Sequence, residues 1–303
     1  MSTTTTADRA AERRKRMEAA RRRRPEASTW LDLVDRALEA AEQSVWAELE
    51  PRLPSLRDPA APLLHDAFVT VEPRPARRWV RGLLKTASRA PEEGAASLAG
   101  LRGRTVDPLE LLTAGAGEDV EYLQDLAERN SADPAAVATV ARLAALPLLR
   151  GCAHALTQQV PAGWNRGYCP VCGGWPGLAE LRGLERRRVL RCGRCATGWE
   201  LPVLVCPFCD ERDHERHVTL AEDGGEQQRR VDACRSCSGY VKTLTTLSPV
   251  QPWALPLEDL ETLELDLVAG DREFRRPEAP AREVAVRVVA AEGPLTRFTG
   301  GWA

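Results

Sequence analysis

The stretch Leu190–Cys209, LRCGRCATGWELPVLVCPFC, decides how the second half of the chain folds. It holds two Cys-x-x-Cys pairs with ten residues between them. Two further pairs flank it, so eight of the nine cysteines in this 303-residue chain lie within 69 residues. They are Cys169, Cys172, Cys192, Cys195, Cys206, Cys209, Cys234 and Cys237. Each pair offers two thiolates to one metal ion, and four thiolates make a closed tetrahedral site.

The segments between the pairs predict which cysteines share a metal. Nineteen residues separate the first pair from the second, and they predict two strands, near 178–182 and 187–191, around Gly183. Twenty-four residues separate the third pair from the fourth, and the segments HVTLA and RRVDA predict a second hairpin around the turn EDGGEQ. Because a hairpin returns its end to its start, we expect one metal at the first two pairs and another at the last two.

The spacing also allows other arrangements. The first pair could join the third while the second joins the fourth, or the two middle pairs could join and leave the outer pairs to close over sixty-one residues. Iron and zinc both accept four thiolates, so the sequence does not choose between them. A single Cys-x-x-Cys pair could instead be redox-active.

The rest of the chain predicts an α+β, multi-domain protein in which an α-helical bundle precedes two tandem rubredoxin-like or zinc-ribbon metal modules. Apolar residues recur at helical spacing before residue 160, whereas the two hairpin segments are too polar to form a core without a metal. Asp107-Pro108 and Asp133-Pro134 are helix starts, and Pro147 is expected to kink the helix that follows. The expected divisions are a basic flexible tail (1–27), a helical domain (28–160), the first metal module (161–200), the second (201–247), and a C-terminal helix and tail (248–303).

Composition excludes little but points to a cytoplasmic location. The net charge of −2 does not indicate a nucleic-acid binder, and no run of eighteen apolar residues predicts a membrane span. The arginine-rich N-terminus lacks the apolar segment of a signal peptide. In the cytoplasm thiols stay reduced, which favours metal binding over disulfides.

No catalytic residue is predicted. The chain lacks a phosphate-binding loop, a dinucleotide fingerprint and a His-Glu-x-x-His motif. A closed four-sulfur site has no open position at which to activate water. We therefore expect a protein that is not an enzyme, with metals that stabilise its fold.

Several other residues have both a structural and a functional interpretation. Cys152 and His154 lie in an apolar helix and are expected in or near the core, and His214 and His217 are expected in solvent rather than on a metal. Six arginines crowd the first site and would offset thiolate charge or, alternatively, bind nucleic acid: Arg182, Arg186, Arg187, Arg188, Arg191 and Arg194. Four aromatic residues are candidate docking anchors that could equally stabilise the metal modules: Trp164, Trp175, Trp199 and Tyr240.

The motifs resemble the formate dehydrogenase accessory protein family, of the FdhE type. The resemblance covers about 146–268 and is carried by PLLRGCAHAL, GWNRGYCPVCGGWP, RRRVLRCGRCATGWELPVLVCPFC, DACRSCSGYVKTL and LEDLETLELDL. It implies a helical domain followed by two rubredoxin-like modules. It also implies a cytoplasmic maturation factor that binds the catalytic, molybdenum-containing subunit of formate dehydrogenase. The partner-binding residues stay unknown, and a one-electron redox protein and a zinc-ribbon nucleic-acid binder are the alternatives.

Overall fold

Helices account for most of the first half of the molecule. The structure is a computed structural model that describes residues 6–91, 94–102, 106–221 and 228–291. Within those ranges the α-helices are α1 (Thr6–Arg23), α2 (Ser28–Ala41), α3 (Ser44–Ala47), α4 (Pro73–Ala87), α5 (Pro108–Gly117), α6 (Val120–Arg129), α7 (Pro134–Leu156), α8 (Leu255–Glu261) and α9 (Leu263–Gly270). The strands are β1 (Phe68–Val71), β2 (Pro176–Arg182), β3 (Arg187–Cys192), β4 (Gly198–Glu200), β5 (His217–Leu220), β6 (Arg229–Cys234), β7 (Tyr240–Thr246) and β8 (Arg287–Ala290). The expected mixture of helix and sheet is confirmed.

Aspartate caps begin three of the helices. Asp107 accepts a hydrogen bond from the amide of Leu109 at 2.9 Å, and Asp133 accepts one from the amide of Ala136 at 2.8 Å. Asp119 caps α6 in the same way. These bonds satisfy amides that have no partner inside the helix. The two Asp-Pro starts are therefore where the sequence predicts them.

Helix α7 is the central element of the helical region. It contacts α2, α3, α4, α5 and α6, and it continues through Pro147 to Leu156. By length and composition alone, residues 134–159 could cross a membrane, but 67% of that apolar window is buried inside the protein. The burial is that of a core helix.

The N-terminal residues differ from the flexible tail that the sequence suggests. Residues 6–23 form α1, with Met17 fully buried. Arg13 forms ion pairs with Asp35 and Glu42 around α2, at 3.2 and 2.7 Å. Arg16 bonds Glu258 in α8, 242 residues away in sequence, at 2.9 Å. The basic run is ordered by acidic partners on distant elements, which local sequence does not reveal.

The two hairpins belong to one sheet. Its strand order is β4-β3-β2-β7-β6-β5, and all pairs are antiparallel except β2 with β7, which runs parallel from Leu178↔Lys242 to Arg182↔Thr246. The predicted strands of both hairpins are present, whereas the predicted turn EDGGEQ lies outside the described residues. Strand β7, which no sequence pattern predicted, joins the two units side by side.

The chain returns to the helical region at its end. Strand β8 pairs in parallel with β1, from Phe68↔Arg287 to Val71↔Ala290. The C-terminal segment thus contains a strand besides α8 and α9, and the residues after 291 lie outside the described part of the chain.

One main hydrophobic core extends from the helices into the first cysteine unit. It includes residues of α2, α4, α5 and α7 together with Cys169, Cys172, Cys192 and Cys195. A smaller, separate cluster lies under the second unit and includes Leu220, Val231 and Leu265. The domain boundary expected near residue 161 therefore does not separate two hydrophobic cores.

Candidate metal centres

The structure brings the eight paired cysteines together as two groups of four. Cys169, Cys172, Cys192 and Cys195 form site 1, and Cys206, Cys209, Cys234 and Cys237 form site 2. The sulfur atoms of each group lie within 4.8 Å of one another. This is the grouping that the two hairpins predict, and it differs from the crossed and middle-pair arrangements. The role of these sulfurs as metal ligands stays a prediction.

The sulfur geometry fits a four-coordinate metal ion. In site 1 the Sγ–Sγ distance is 3.5 Å for Cys169–Cys195 and 3.4 Å for Cys172–Cys192. In site 2 they are 3.7 Å for both Cys206–Cys237 and Cys209–Cys234. A tetrahedral zinc ion with bonds of about 2.3 Å places its sulfurs about 3.8 Å apart. Burial raises the pKa of Cys169 and Cys206, so a cation is needed to keep such thiols ionised.

All four Cys-x-x-Cys loops have the same backbone conformation. The residue after each second cysteine has a positive φ: 71° at Gly173, 67° at Ala196, 60° at Asp210 and 55° at Ser238. Only the first is a glycine, so the other three hold a conformation that costs L-residues energy. In each loop the amide of the first cysteine also donates to the carbonyl five residues later, at 2.8 to 2.9 Å. The four loops therefore keep the same turn whether the residue after the second cysteine is glycine or not.

Backbone amides point at the sulfurs in these loops. The amides of Val171, Arg194 and Gly239 lie 3.4 Å from the sulfurs of Cys169, Cys192 and Cys237. Such donors stabilise thiolate over thiol. The arrangement is therefore suited to four metal-bound thiolates.

Site 1 is buried and fixed to the helical region. All four of its cysteines are buried, and the amides of Leu63 and Leu64 donate to the carbonyls of Pro170 and Val171 in its first loop. Arg194 in its second loop donates to the carbonyls of Gly115 and Ala116 in α5, both at 2.7 Å. Both loops are thus held by elements far away in sequence.

Site 2 is more open to solvent. Cys209 and Cys237 are exposed, whereas Cys206 and Cys234 are buried. Beside it, Ser236 donates to the Glu211 carboxylate at 2.6 Å and lowers the pKa of Glu211 to about 2. A ligand or reagent in solvent can therefore reach two of the four sulfurs at site 2.

Three of the arginines around site 1, Arg188, Arg191 and Arg194, donate to backbone carbonyls or to a buried carboxylate. Arg188 donates to the carbonyls of Leu201, Val203 and Val205, and burial lowers its pKa to about 10. Arg191 bonds Glu180, which is fully buried, at 2.5 Å. Arg188 thus joins the first unit to the segment before site 2, and Arg191 also donates to the carbonyl of Val250 after β7. Neither is available to a nucleic-acid surface, whereas Arg186 and Arg187 are exposed.

The remaining candidates lie largely as expected. Cys152 is buried, with a pKa raised by that burial, and His154 is exposed. Neither His214 nor His217 belongs to a four-ligand group, and the His217 Nε2 atom lies 3.1 Å from the carbonyl oxygen of Glu211.

The candidate aromatic anchors stabilise the cysteine region instead. Trp164, Trp199 and Tyr240 are buried. Trp199 donates to the carbonyl of Arg166, and the Tyr240 hydroxyl donates to Asp266 at 2.6 Å. Trp175 is half-buried and meets Phe208 of site 2 edge-on. We therefore assign these rings to packing.

Two buried charged residues were missed at the level of sequence. Glu180 in β2 contacts both Arg182 and Arg191, and Lys242 in β7 donates to Asp266 at 2.7 Å. Glu180 lies inside a predicted strand, and Lys242 lies in the segment that follows the last cysteine pair. A charged residue among apolar neighbours is the sequence signal that could have revealed both. Their partners could be found only once the parallel β2–β7 pair was known.

Comparisons with known proteins identify relatives of part of the chain. No protein-family model matches the chain. A protein named FdhE homolog from Pseudomonas aeruginosa is 34% identical over 119 residues, which are 37% of this chain and 38% of the relative. A second FdhE homolog, from Aquifex aeolicus, is 30% identical over 121 residues, 38% of this chain and 41% of the relative. Protein FdhE of Escherichia coli is 29% identical over 106 residues, 34% of this chain and 33% of the relative. The aligned regions therefore span well under half the length of these relatives.

The fold comparison extends over nearly the whole chain. The crystal structure of the FdhE protein from Pseudomonas aeruginosa matches with a TM-score of 0.59 and 22% identity, covering 94% of this chain and 98% of that one. At this identity the match concerns the fold alone. The chain thus resembles FdhE proteins over part of its sequence and shares the fold of one of them over nearly its whole length.

Proposed function

We propose that this protein is a non-catalytic accessory factor for formate dehydrogenase, which binds the catalytic subunit in the cytoplasm during maturation. The observation that carries the proposal is the pair of closed four-cysteine groups, which lie within 146–268, the part of the chain whose motifs resemble the FdhE family. A site closed by four sulfurs has no open position for substrate. Each metal site would instead stabilise the conformation of a protein-binding surface.

Each site would hold one iron or zinc ion. Cys169, Cys172, Cys192 and Cys195 would bind the first ion, and Cys206, Cys209, Cys234 and Cys237 the second. When bound, the ion supplies folding free energy, because the ligands converge only in the folded chain. The surrounding residues then orient the sulfurs, through the amide donors and the arginine contacts described above.

Affinity purification tests the accessory role. We expect the tagged protein, expressed in its own host under conditions that induce formate dehydrogenase, to retain the catalytic subunit as identified by mass spectrometry. A Cys169→Ala bait should lose this subunit because site 1 lies in the main core, whereas Cys152→Ala, an equally buried thiol outside both sites, should keep it. Recovery of only nucleic acid or an electron-transfer enzyme would contradict the proposal.

Metal release should proceed in two steps. Because two sulfurs of site 2 are exposed and all those of site 1 are buried, a chelator should remove one equivalent per chain at least about tenfold faster than the other. Release can be followed with a colorimetric metal indicator, and Cys237→Ala should abolish only the fast phase. Two equivalents leaving at one rate, or loss of the slow phase in that variant, would count against the assignment.

A further inference from the structure

Helix α1 lies on an acidic face formed by α2, α8 and α9. Every carboxylate of this face pairs with an arginine of α1 or with Arg24, which follows it. The carboxylates of α2 and its C-terminal cap recur every three or four residues, so they lie along one side of that helix. The acidic face consists of Asp32, Asp35, Glu39, Glu42, Glu258, Glu261 and Glu264.

Helix α1 is held on this face mainly by charge. Met17 is the only residue of α1 that is both apolar and larger than alanine, and it is buried together with Ala20. Arg13 is also buried, whereas Arg16 and Arg21 stay partly exposed in their ion pairs. Partly exposed pairs contribute about 0–1 kcal/mol each and are screened by salt, and an isolated polar helix of this length is marginal in water. A competing helix can therefore displace α1.

A break in the chain separates α1 from α2. Pro25 begins a short 3-10 turn, Pro25–Ala27, and α2 starts at Ser28. Because proline has no amide and restricts the residue before it, the two helices cannot continue as one. Arg24 accordingly leaves the helical conformation, with φ −133° and ψ 71°. Helix α1 is thus a separate element that can leave the acidic face while α2 keeps its own start.

The surface beside the acidic face includes apolar side chains that α1 does not cover. Leu263 and Leu267, one turn apart on α9, are 36% and 65% exposed. Glu264, which belongs to the acidic face, lies between them in sequence and pairs with Arg24. An open cavity of about 390 Å³ also separates Arg24 from Leu260. A helix that carries both arginines and apolar residues would cover more of this surface than α1 does.

We propose that the acidic face binds an arginine-rich helix of another protein, and that α1 occupies the face until such a helix displaces it. The arginines of the incoming helix take the places of Arg13, Arg16 and Arg21. Its apolar residues lie against Leu263 and Leu267. Helix α1 is then an autoinhibitory segment, because a tethered helix competes at an effective concentration on the order of millimolar. The inference is independent of the accessory role.

Fluorescence anisotropy with the full-length, metal-loaded protein tests the proposal. The probe is a labelled synthetic peptide with the sequence of residues 6–24. In the wild type the tethered α1 should keep binding of this peptide weak. Arg16→Gln removes the ion pairs of Arg16 with Glu258 and Glu261, which loosens α1 but leaves the face intact. We therefore expect this variant to bind the peptide about tenfold more tightly than the wild type, since more of its acidic face is free.

Two controls separate displacement of α1 from general attraction between charges. Arg22→Gln makes the same change at an exposed arginine that bonds Glu18 within α1 at 2.8 Å, so this variant should bind the peptide like the wild type, within about twofold. A scrambled peptide of the same composition keeps the charge but loses the spacing of the contact residues. It should bind Arg16→Gln about tenfold more weakly than the probe does.

Variants of the acidic face complete the test. Glu261→Gln, added to Arg16→Gln, removes a carboxylate that the incoming helix needs and should cancel the gain in affinity. If that double variant does not fold, Asp32→Asn in the same background changes an exposed carboxylate paired with Arg21 and should weaken the peptide about threefold. Equal affinity of the wild type and Arg16→Gln, equal binding of the scrambled peptide, or unchanged affinity in both carboxylate variants would overturn the proposal.

Discussion

Cys169→Ala should abolish metal at site 1 and destabilise the whole chain. Cys169 is fully buried and belongs to the same core as the main helices, so loss of the ion affects both regions. Binding of a structural metal contributes about 10–16 kcal/mol in small modules, comparable with the total stability of a domain. We expect the free energy of unfolding to fall by more than about 4 kcal/mol. Urea unfolding followed by circular dichroism, with metal content by mass spectrometry, measures both effects.

Two matched variants make this prediction specific. Cys234→Ala, also buried but beside the separate small cluster, should remove the other metal while leaving the helical signal largely intact. Cys152→Ala removes a buried thiol outside both sites, so it should keep two metals and cost about 1 kcal/mol. Wild-type metal content in Cys169→Ala, or equal loss of helix in all three variants, would show that site 1 does not stabilise the core.

Glu180→Gln should be the most damaging change outside the metal ligands. The Glu180 carboxylate is fully buried, contacts Arg182 and Arg191 at 2.5 Å, and accepts from the amide of Val250 at 3.3 Å. Breaking a buried ion pair on one side leaves an uncompensated charge and costs about 3–5 kcal/mol. We expect a loss of that size in urea unfolding with both metals still bound.

Glu200→Gln is the control for this effect. Glu200 lies on β4 of the same sheet and pairs with Arg187 at 3.0 Å, but both side chains are largely exposed. Exposed pairs contribute about 0–1 kcal/mol, so this variant should unfold almost like the wild type. Similar losses from both substitutions would mean that burial does not set the strength of the Glu180 contacts.

Local patterns predicted the elements that local physics controls. The strands around Gly183, the second hairpin and the Asp-Pro helix starts depend on turn residues, alternation and caps within a few positions. The cysteine groups followed because hairpins return the chain to its start. Each of these features is set by residues close together in sequence.

The elements that the sequence did not predict depend on long-range partners. Helix α1 is ordered by ion pairs to α2 and α8, and β1 exists because β8 returns more than 200 residues later to pair with it. The local pattern of charged and apolar residues does not indicate which distant residues will pair with them.

The parallel contact between β2 and β7 makes the sheet a repeat by translation. In the order β4-β3-β2-β7-β6-β5, the first strand of one unit pairs with the third strand of the next. Such a head-to-tail contact does not form a closed ring, so β5 remains an edge strand. Strand β5 is the first strand of its unit, as β2 is of the other unit, and β2 pairs with β7 along the corresponding edge. Strand β5 has four residues where β2 has seven. A short edge strand offers few free backbone groups for further pairing, so β5 as described is a poor template for adding a third unit to this sheet.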